Sequence, residues 1–120
     1  MKNILVVEDD ILNLELFKNF LHTLGYDVIA ARTAQESIEA AREYMPILIL
    51  MDYRLSGDLD GLEAARIIKS DSELRHIPVV IVTAHNRPGD DKRAYAAGCE
   101  GFMVKPVHMQ DLRRIIQAHL

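Results

Sequence analysis

The sequence predicts an α/β protein: a five-stranded parallel sheet flanked on both faces by five helices in a three-layer sandwich. Three observations predict it. Short apolar runs at residues 4–7, 47–51 and 79–82 show no polar alternation, as strands buried on both faces require. Between them lie stretches whose apolar residues recur at helical spacing, and strand–helix alternation of this kind is satisfied by parallel strands with right-handed crossovers. The chain has 120 residues and no linker, repeat or low-complexity stretch, which is enough for one such unit with its own core and too short for two.

The first strand, residues 4–7, runs directly into Glu8, Asp9 and Asp10. A helix follows with Leu14, Phe17, Leu21 and Leu24 on one face, and Gly25 stands where a left-handed residue would close it. Residues 26–31 form a weaker strand. Thr33 and Glu36 have capping-box spacing, and Ala34, Ile38, Ala41 and Met45 continue a second helical face as far as Pro46. Residues 47–51 are the most buried-looking strand and end on Asp52. After a polar loop, Asp60 and Glu63 repeat the capping pattern, with Leu62, Ala65 and Ile68 facing inward. Pro78 introduces the strand at 79–82. Residues 87–97 are predicted as a short helix with a thin apolar face, closed by Gly98; 101–104 is the fifth strand, and Met109, Leu112, Ile115 and Ile116 mark the last helix.

Composition removes several function classes. Fourteen Lys and Arg against eighteen Asp and Glu give a net charge of −4 with no basic run, which argues against a general nucleic-acid or anionic-membrane binder. The longest apolar stretch, 45–51, is far below the roughly 20 residues a bilayer span needs. The apolar run after Lys2 meets acidic residues too soon for a secretory leader. Cys99 is the only cysteine, so no intrachain disulfide forms and a reducing, cytoplasmic setting is expected, with Cys99 a small buried hydrophobe. The five histidines sit on helices or loops without partnering ligands and are expected to face solvent.

In such a sheet, ligands bind beyond the carboxyl ends of the strands at the point where the winding reverses, which for the common five-strand order 2-1-3-4-5 lies between the first and third strands. Glu8, Asp9 and Asp10 leave the first strand and Asp52 the third, while Thr83-Ala84 and Lys105-Pro106 leave the fourth and fifth. Carboxylates converging in a partly desolvated crevice repel one another unless a cation joins them. An oxygen-only donor set of this size suits Mg²⁺, which keeps several waters, better than Zn²⁺, which wants His or Cys. An aspartate beside such an ion and a lysine has the parts for covalent phosphoryl capture, a reaction that depends mainly on positioning and charge neutralisation.

Across essentially its whole length the chain resembles the CheY-like receiver domains of two-component response regulators, which have the flavodoxin-like fold. The resemblance is carried by Val7-Glu8-Asp9-Asp10, Leu50-Met51-Asp52, Asp60-Gly61, Val82-Thr83-Ala84 and Val104-Lys105-Pro106, in that order and at those spacings. Among single-domain regulators it is most similar to the DivK type, through Leu14 to Phe17, His76-Ile77-Pro78-Val79-Val80 and Gly98-Cys99-Glu100. The resemblance implies that Asp52 accepts a phosphoryl group from a histidine kinase or a histidine phosphotransfer protein. Asp9 and Asp52 would hold Mg²⁺, with Glu8 acting through water and the Arg54 backbone carbonyl as a further ligand. Thr83 would bond a phosphoryl oxygen, Lys105 would pair with the phosphoryl charge, and the bond before Pro106 would be cis. Phe102 corresponds to a switch aromatic that reshapes the face of helix 4, strand 5 and helix 5 for a downstream effector protein. The whole chain, 1–120, is expected to be a receiver with no output domain, a monomer or a phosphorylation-dependent homodimer. It would be a signalling protein rather than an enzyme, assisting only its own phosphotransfer and autodephosphorylation.

Three departures from the family pattern stand out. Glu8 replaces the commoner Asp. The loop after Asp52 carries Ser56 where the family usually has Pro, with one extra residue before Asp60, which bears on its shape and on kinase choice. Arg54 and His85, two residues beyond Asp52 and Thr83, occupy positions that tune phosphoryl lifetime in the family. Two other functions compete. A small phosphohydrolase would want a second acid near the nucleophile, and position 54 holds Arg. A phosphorylation-independent adaptor would want loss of Asp52 or Lys105, and both are present.

Overall fold

A computed structural model describes residues 2–85 and 87–120. Its elements follow in the order β1 (Asn3–Val7), α1 (Ile11–Thr23), β2 (Asp27–Ala31), α2 (Ala34–Tyr44), β3 (Leu48–Asp52), α3 (Gly61–Ser70), β4 (Val79–Thr83), α4 (Asp90–Ala96), β5 (Gly101–Val104) and α5 (Met109–His119). The strands are parallel in the order β2-β1-β3-β4-β5, the predicted fold.

Alternate residues of each strand feed two separate apolar layers, which is why the central strands read as unbroken apolar runs. Leu5, Val7, Ile49, Met51 and Ile81 join Ile38, Leu62, Ala65 and Ile68 on the side of α2, α3 and α4. Ile4, Val6, Leu48, Leu50, Val80 and Val82 meet Leu14, Phe17, Leu21, Leu112 and Ile116 on the side of α1 and α5. Each large aliphatic side chain buried this way stabilises the fold by about 1.5–3 kcal/mol before chain entropy is counted. Cys99 is buried in the first layer, and that burial pushes its thiol up to about 11, so it packs as a hydrophobe.

The helix starts follow their capping residues. Asp10 caps α1, accepting from the amides of Leu12 at 2.9 Å and Asn13 at 3.1 Å. Thr33 accepts from the amide of Glu36 at 3.1 Å, and Asp60 with Glu63 forms the complete reciprocal box. Two predicted boundaries move. Met45 does not extend the α2 face: the residue before a proline is kept out of the helical region, and Met45 turns left-handed (φ 45°) and points to solvent. α4 starts at Asp90 rather than Arg87, because Pro88 and Gly89 (φ 86°) form a turn closed by Asp90 N donating to Arg87 O at 3.0 Å.

Register positions the chemistry. Val7 lies opposite Ala31 and Met51, Asp52 opposite Val82, and Thr83 opposite Val104. The carboxyl ends of β1, β3, β4 and β5 are therefore nearly level, and the residues that end or follow them emerge along one edge. Among the described residues no helix is long and apolar enough to cross a membrane.

Candidate functional site

Three carboxylates meet at this edge. Glu8, Asp9 and Asp52 each offer an oxygen, and these oxygens lie within 4.8 Å of one another. Glu8 follows β1, where its backbone N–H donates to Ala31 O at 3.0 Å, so it stays in line with the sheet and is 2% exposed. Asp52 is the last residue of β3 and is also buried. Asp9 is half-buried at the rim. Asp10 stands apart as the exposed cap of α1.

Lys105 reaches this group from the end of β5. Its backbone N–H donates to Thr83 O at 2.8 Å, and the Lys105–Pro106 bond is cis. Its Nζ donates to Glu8 Oε1 at 2.6 Å and to Asp52 Oδ2 at 3.4 Å, so the ammonium lies closer to Glu8 than to Asp52. The second Glu8 oxygen accepts from the Asp10 amide at 3.2 Å. Asp52 Oδ1 is approached by the Arg54 amide at 3.4 Å, while the Arg54 side chain is exposed.

One ammonium among three carboxylates leaves the crevice short of positive charge. Burial is the main reason that the Asp52 carboxyl is pushed up to about 7; the neighbouring Glu8 adds to this, and Lys105 and the Arg54 amide oppose it. For Lys105, burial works against the charged form, but the hydrogen bond to Glu8 and the charges of Asp52 and Glu8 outweigh it and hold the ammonium above its ordinary range. A largely buried, oxygen-only, net negative donor set is what a hard divalent cation fits.

Thr83 ends β4 fully buried, but its hydroxyl is engaged by its own loop: Oγ1 donates to His85 O at 3.0 Å and accepts from His85 N at 3.2 Å. Phe102 packs partly buried against the first apolar layer and lines a cavity of about 410 Å³ with Val104, Asp111 and Ile115. Glu8, Asp9, Asp52 and Lys105 are thus brought together, whereas Thr83 and Phe102 extend from the site toward the face of β5 and α5. All five histidines lie on helix ends or loops, and four of them are exposed, with His119 half-buried.

Three further residues build the site through contacts that the sequence does not assign to them. Gly61 opens α3 directly against the end of β3: its N–H donates to Tyr53 O at 2.9 Å, and an added Cβ would sit 1.8 Å from the Asp52 carbonyl oxygen. The signal for it was present in the Asp60-Gly61 pair at a helix start. Ser56 Oγ donates to Asp9 Oδ2 at 2.9 Å, and Arg32 Nη2 donates to Asp9 O at 3.1 Å. Both are contacts between distant loops, and nothing in the local sequence announces them.

Comparison with known proteins agrees with this geometry. The family model of the response regulator receiver domain matches residues 4–117. The polar-differentiation response regulator DivK of Brucella ovis is 40% identical over 119 residues, 99% of this chain and 96% of DivK. The receiver domain of the sensor histidine kinase PA1611 from Pseudomonas aeruginosa PAO1, whose structure has a magnesium ion coordinated in the active-site cleft, is 32% identical with a TM-score of 0.89, over 98% of this chain and 96% of that one. The chemotaxis protein CheY4 of Vibrio cholerae, 24% identical over 100% of this chain and 99% of that one, shares the fold with a TM-score of 0.90. The five-stranded sheet, the acidic edge and these matches lead to one conclusion: the chain belongs to the response regulator receiver domains of two-component signalling.

Proposed function

We propose that this protein is a Mg²⁺-dependent phosphoacceptor switch in which Asp52 takes a phosphoryl group from the phosphohistidine of a histidine kinase or a histidine phosphotransfer protein. The observation that carries this reading is the meeting of Glu8, Asp9 and Asp52 with the ammonium of Lys105 at the carboxyl edge of the sheet. Asp9 and Asp52, with Glu8 through water and the Arg54 carbonyl, would hold the cation. When bound there, Mg²⁺ supplies positive charge that offsets the carboxylates and the oxygens of an incoming phosphoryl group.

An ionised Asp52 oxygen attacks phosphorus as the P–N bond of the donor breaks, and the departing imidazole takes up a proton from solvent. Lys105 shifts its ammonium from Glu8 toward the phosphoryl oxygens as a compact point charge. The Thr83 hydroxyl turns from His85 O to donate to a phosphoryl oxygen, and Phe102 follows into the space this opens. The face formed by α4, β5 and α5 then changes shape for an effector protein. Hydrolysis reverses the capture: water attacks phosphorus, the P–O bond to Asp52 breaks, and inorganic phosphate leaves. The chain's chemistry ends with gaining and losing this group, which is why a signalling role suits it better than turnover of diffusible substrates. The likeness to DivK, named as a response regulator, supports the same role, and a lone cysteine that forms no intrachain disulfide suits a reducing, cytoplasmic setting.

The test is intact mass after incubation with a small acyl-phosphate donor. The wild type gains one phosphoryl group when Mg²⁺ is present and not when it is chelated, and Asp52→Asn gains none. An unchanged mass, under conditions that phosphorylate a control receiver, contradicts the proposal.

A further inference from the structure

Asp9 is the least enclosed of the three carboxylates, yet it is held from two sides. The Arg32 guanidinium donates to its carbonyl at 3.1 Å, which fixes the main chain against the turn after β2. The Ser56 hydroxyl donates to its Oδ2 at 2.9 Å, which fixes the side chain against the loop between β3 and α3. Ser56 and Asp9 are 47 residues apart in sequence. Among the described residues this is the one side-chain hydrogen bond that joins the β3–α3 loop to the loop after β1. Leu55 and Leu59 pack partly buried against the first apolar layer, but between these two anchors residues 56–58 are exposed, and Gly57 sits in the left-handed region at φ 107°.

A carboxylate has two oxygens. With Oδ2 accepting from Ser56, the rotation of the Asp9 side chain is set, and Oδ1 accepts no hydrogen bond from the described residues. The donated hydrogen also relieves part of the repulsion among the three carboxylates. Carboxylates that ligate metals are commonly oriented by such a second hydrogen bond, and its loss typically weakens metal affinity by roughly 10–100-fold.

We propose that Ser56 is a positioning residue for the divalent-cation site, its hydroxyl aiming the Asp9 carboxylate at the crevice and tying the β3–α3 loop to cation binding. This rests on the Mg²⁺ site proposed above. Coupling runs both ways: a cation that favours this Asp9 orientation also favours the loop conformation that presents Ser56.

The experiment is calorimetric titration of Mg²⁺ into the wild type, Ser56→Ala and Ser56→Thr, with amide hydrogen exchange of residues 54–59 in each. Ser56→Ala is expected to bind about tenfold more weakly, at the lower end of the range because Ser56 is exposed. Ser56→Thr, which keeps the hydroxyl, is expected near the wild type. Mg²⁺ should slow exchange in the loop of the wild type and Ser56→Thr and have less effect in Ser56→Ala. The metal-free thermal midpoints of all three should agree, since an exposed loop hydroxyl contributes little to global stability. Wild-type affinity in Ser56→Ala, or equal loss in Ser56→Ala and Ser56→Thr, overturns the role of Ser56 and leaves the cation site intact. Absence of Mg²⁺ binding by the wild type itself overturns the site and this inference together.

Discussion

Glu8 and Asp52 share Lys105 unequally, and the imbalance explains much of the site's behaviour. The Lys105 ammonium lies 2.6 Å from Glu8 and 3.4 Å from Asp52, so Asp52 faces burial and a neighbouring carboxylate with only partial compensation. Its folded pKa of about 7 stands above the ordinary value of 3.8. A carboxyl raised in this way binds its proton more tightly folded than unfolded, so the metal-free protein loses stability as pH rises from about 4 through about 7. Asp52→Asn should remove most of that dependence and stabilise the metal-free protein at pH 8 by about 1–2 kcal/mol, below the ceiling of about 4 kcal/mol that 1.36 kcal/mol per pKa unit would set. Urea unfolding at several pH values measures it; an unchanged slope in Asp52→Asn contradicts the account. At this scale the charged residues were legible from sequence because their chemistry is conspicuous at strand ends. Ser56 and Arg32 were not, since their partner, Asp9, is close only after folding. The hydroxyl of Thr83, bound to His85 O, likewise depends on loop geometry that composition does not encode.

At the scale of elements, the junction between β3 and α3 is the tightest part of the site. The Asp60–Glu63 box fixes where α3 begins, and Gly61 allows that first turn to press against the Asp52 carbonyl. Gly61→Ala would force the two apart and is expected to destabilise the protein by about 2–3 kcal/mol, with a parallel loss of phosphoryl capture as Asp52 is displaced. Asp60→Ala, which loses the cap and leaves the close approach alone, should cost about 1 kcal/mol. The midpoint of urea unfolding separates these cases, and equal effects would contradict the ranking. Strands and caps at this scale were legible because burial on both faces and capping chemistry both leave local marks. The start of α4 was not: the Pro88-Gly89 turn supplies backbone geometry that a periodic apolar pattern does not reveal, and Ala94 is the only buried apolar residue of this short helix.

Across the whole molecule, strand order and register do the work that no single residue does. Placing β1 and β3 side by side at the centre of the sheet brings Glu8 and Asp9 to Asp52, and β4 carries Lys105 in through its pairing with β5. The two apolar layers hold that edge level while leaving it open at the carboxyl ends of the strands, the usual position for a ligand in an open parallel sheet. Part of the surplus of acidic over basic residues, a bland figure for the chain as a whole, lies here as three carboxylates facing one ammonium. Under the function proposed above, this convergence makes Asp52 the phosphoryl acceptor. The most direct test of that role is chemical mapping: phosphorylate the wild type with a small acyl-phosphate donor and Mg²⁺, reduce with borohydride, and sequence the peptides by mass spectrometry. An aspartyl-phosphate is reduced to homoserine, and the account predicts that conversion at Asp52 alone; conversion at Glu8 or Asp9, or none at all in a protein whose mass shows a phosphoryl group, would contradict it.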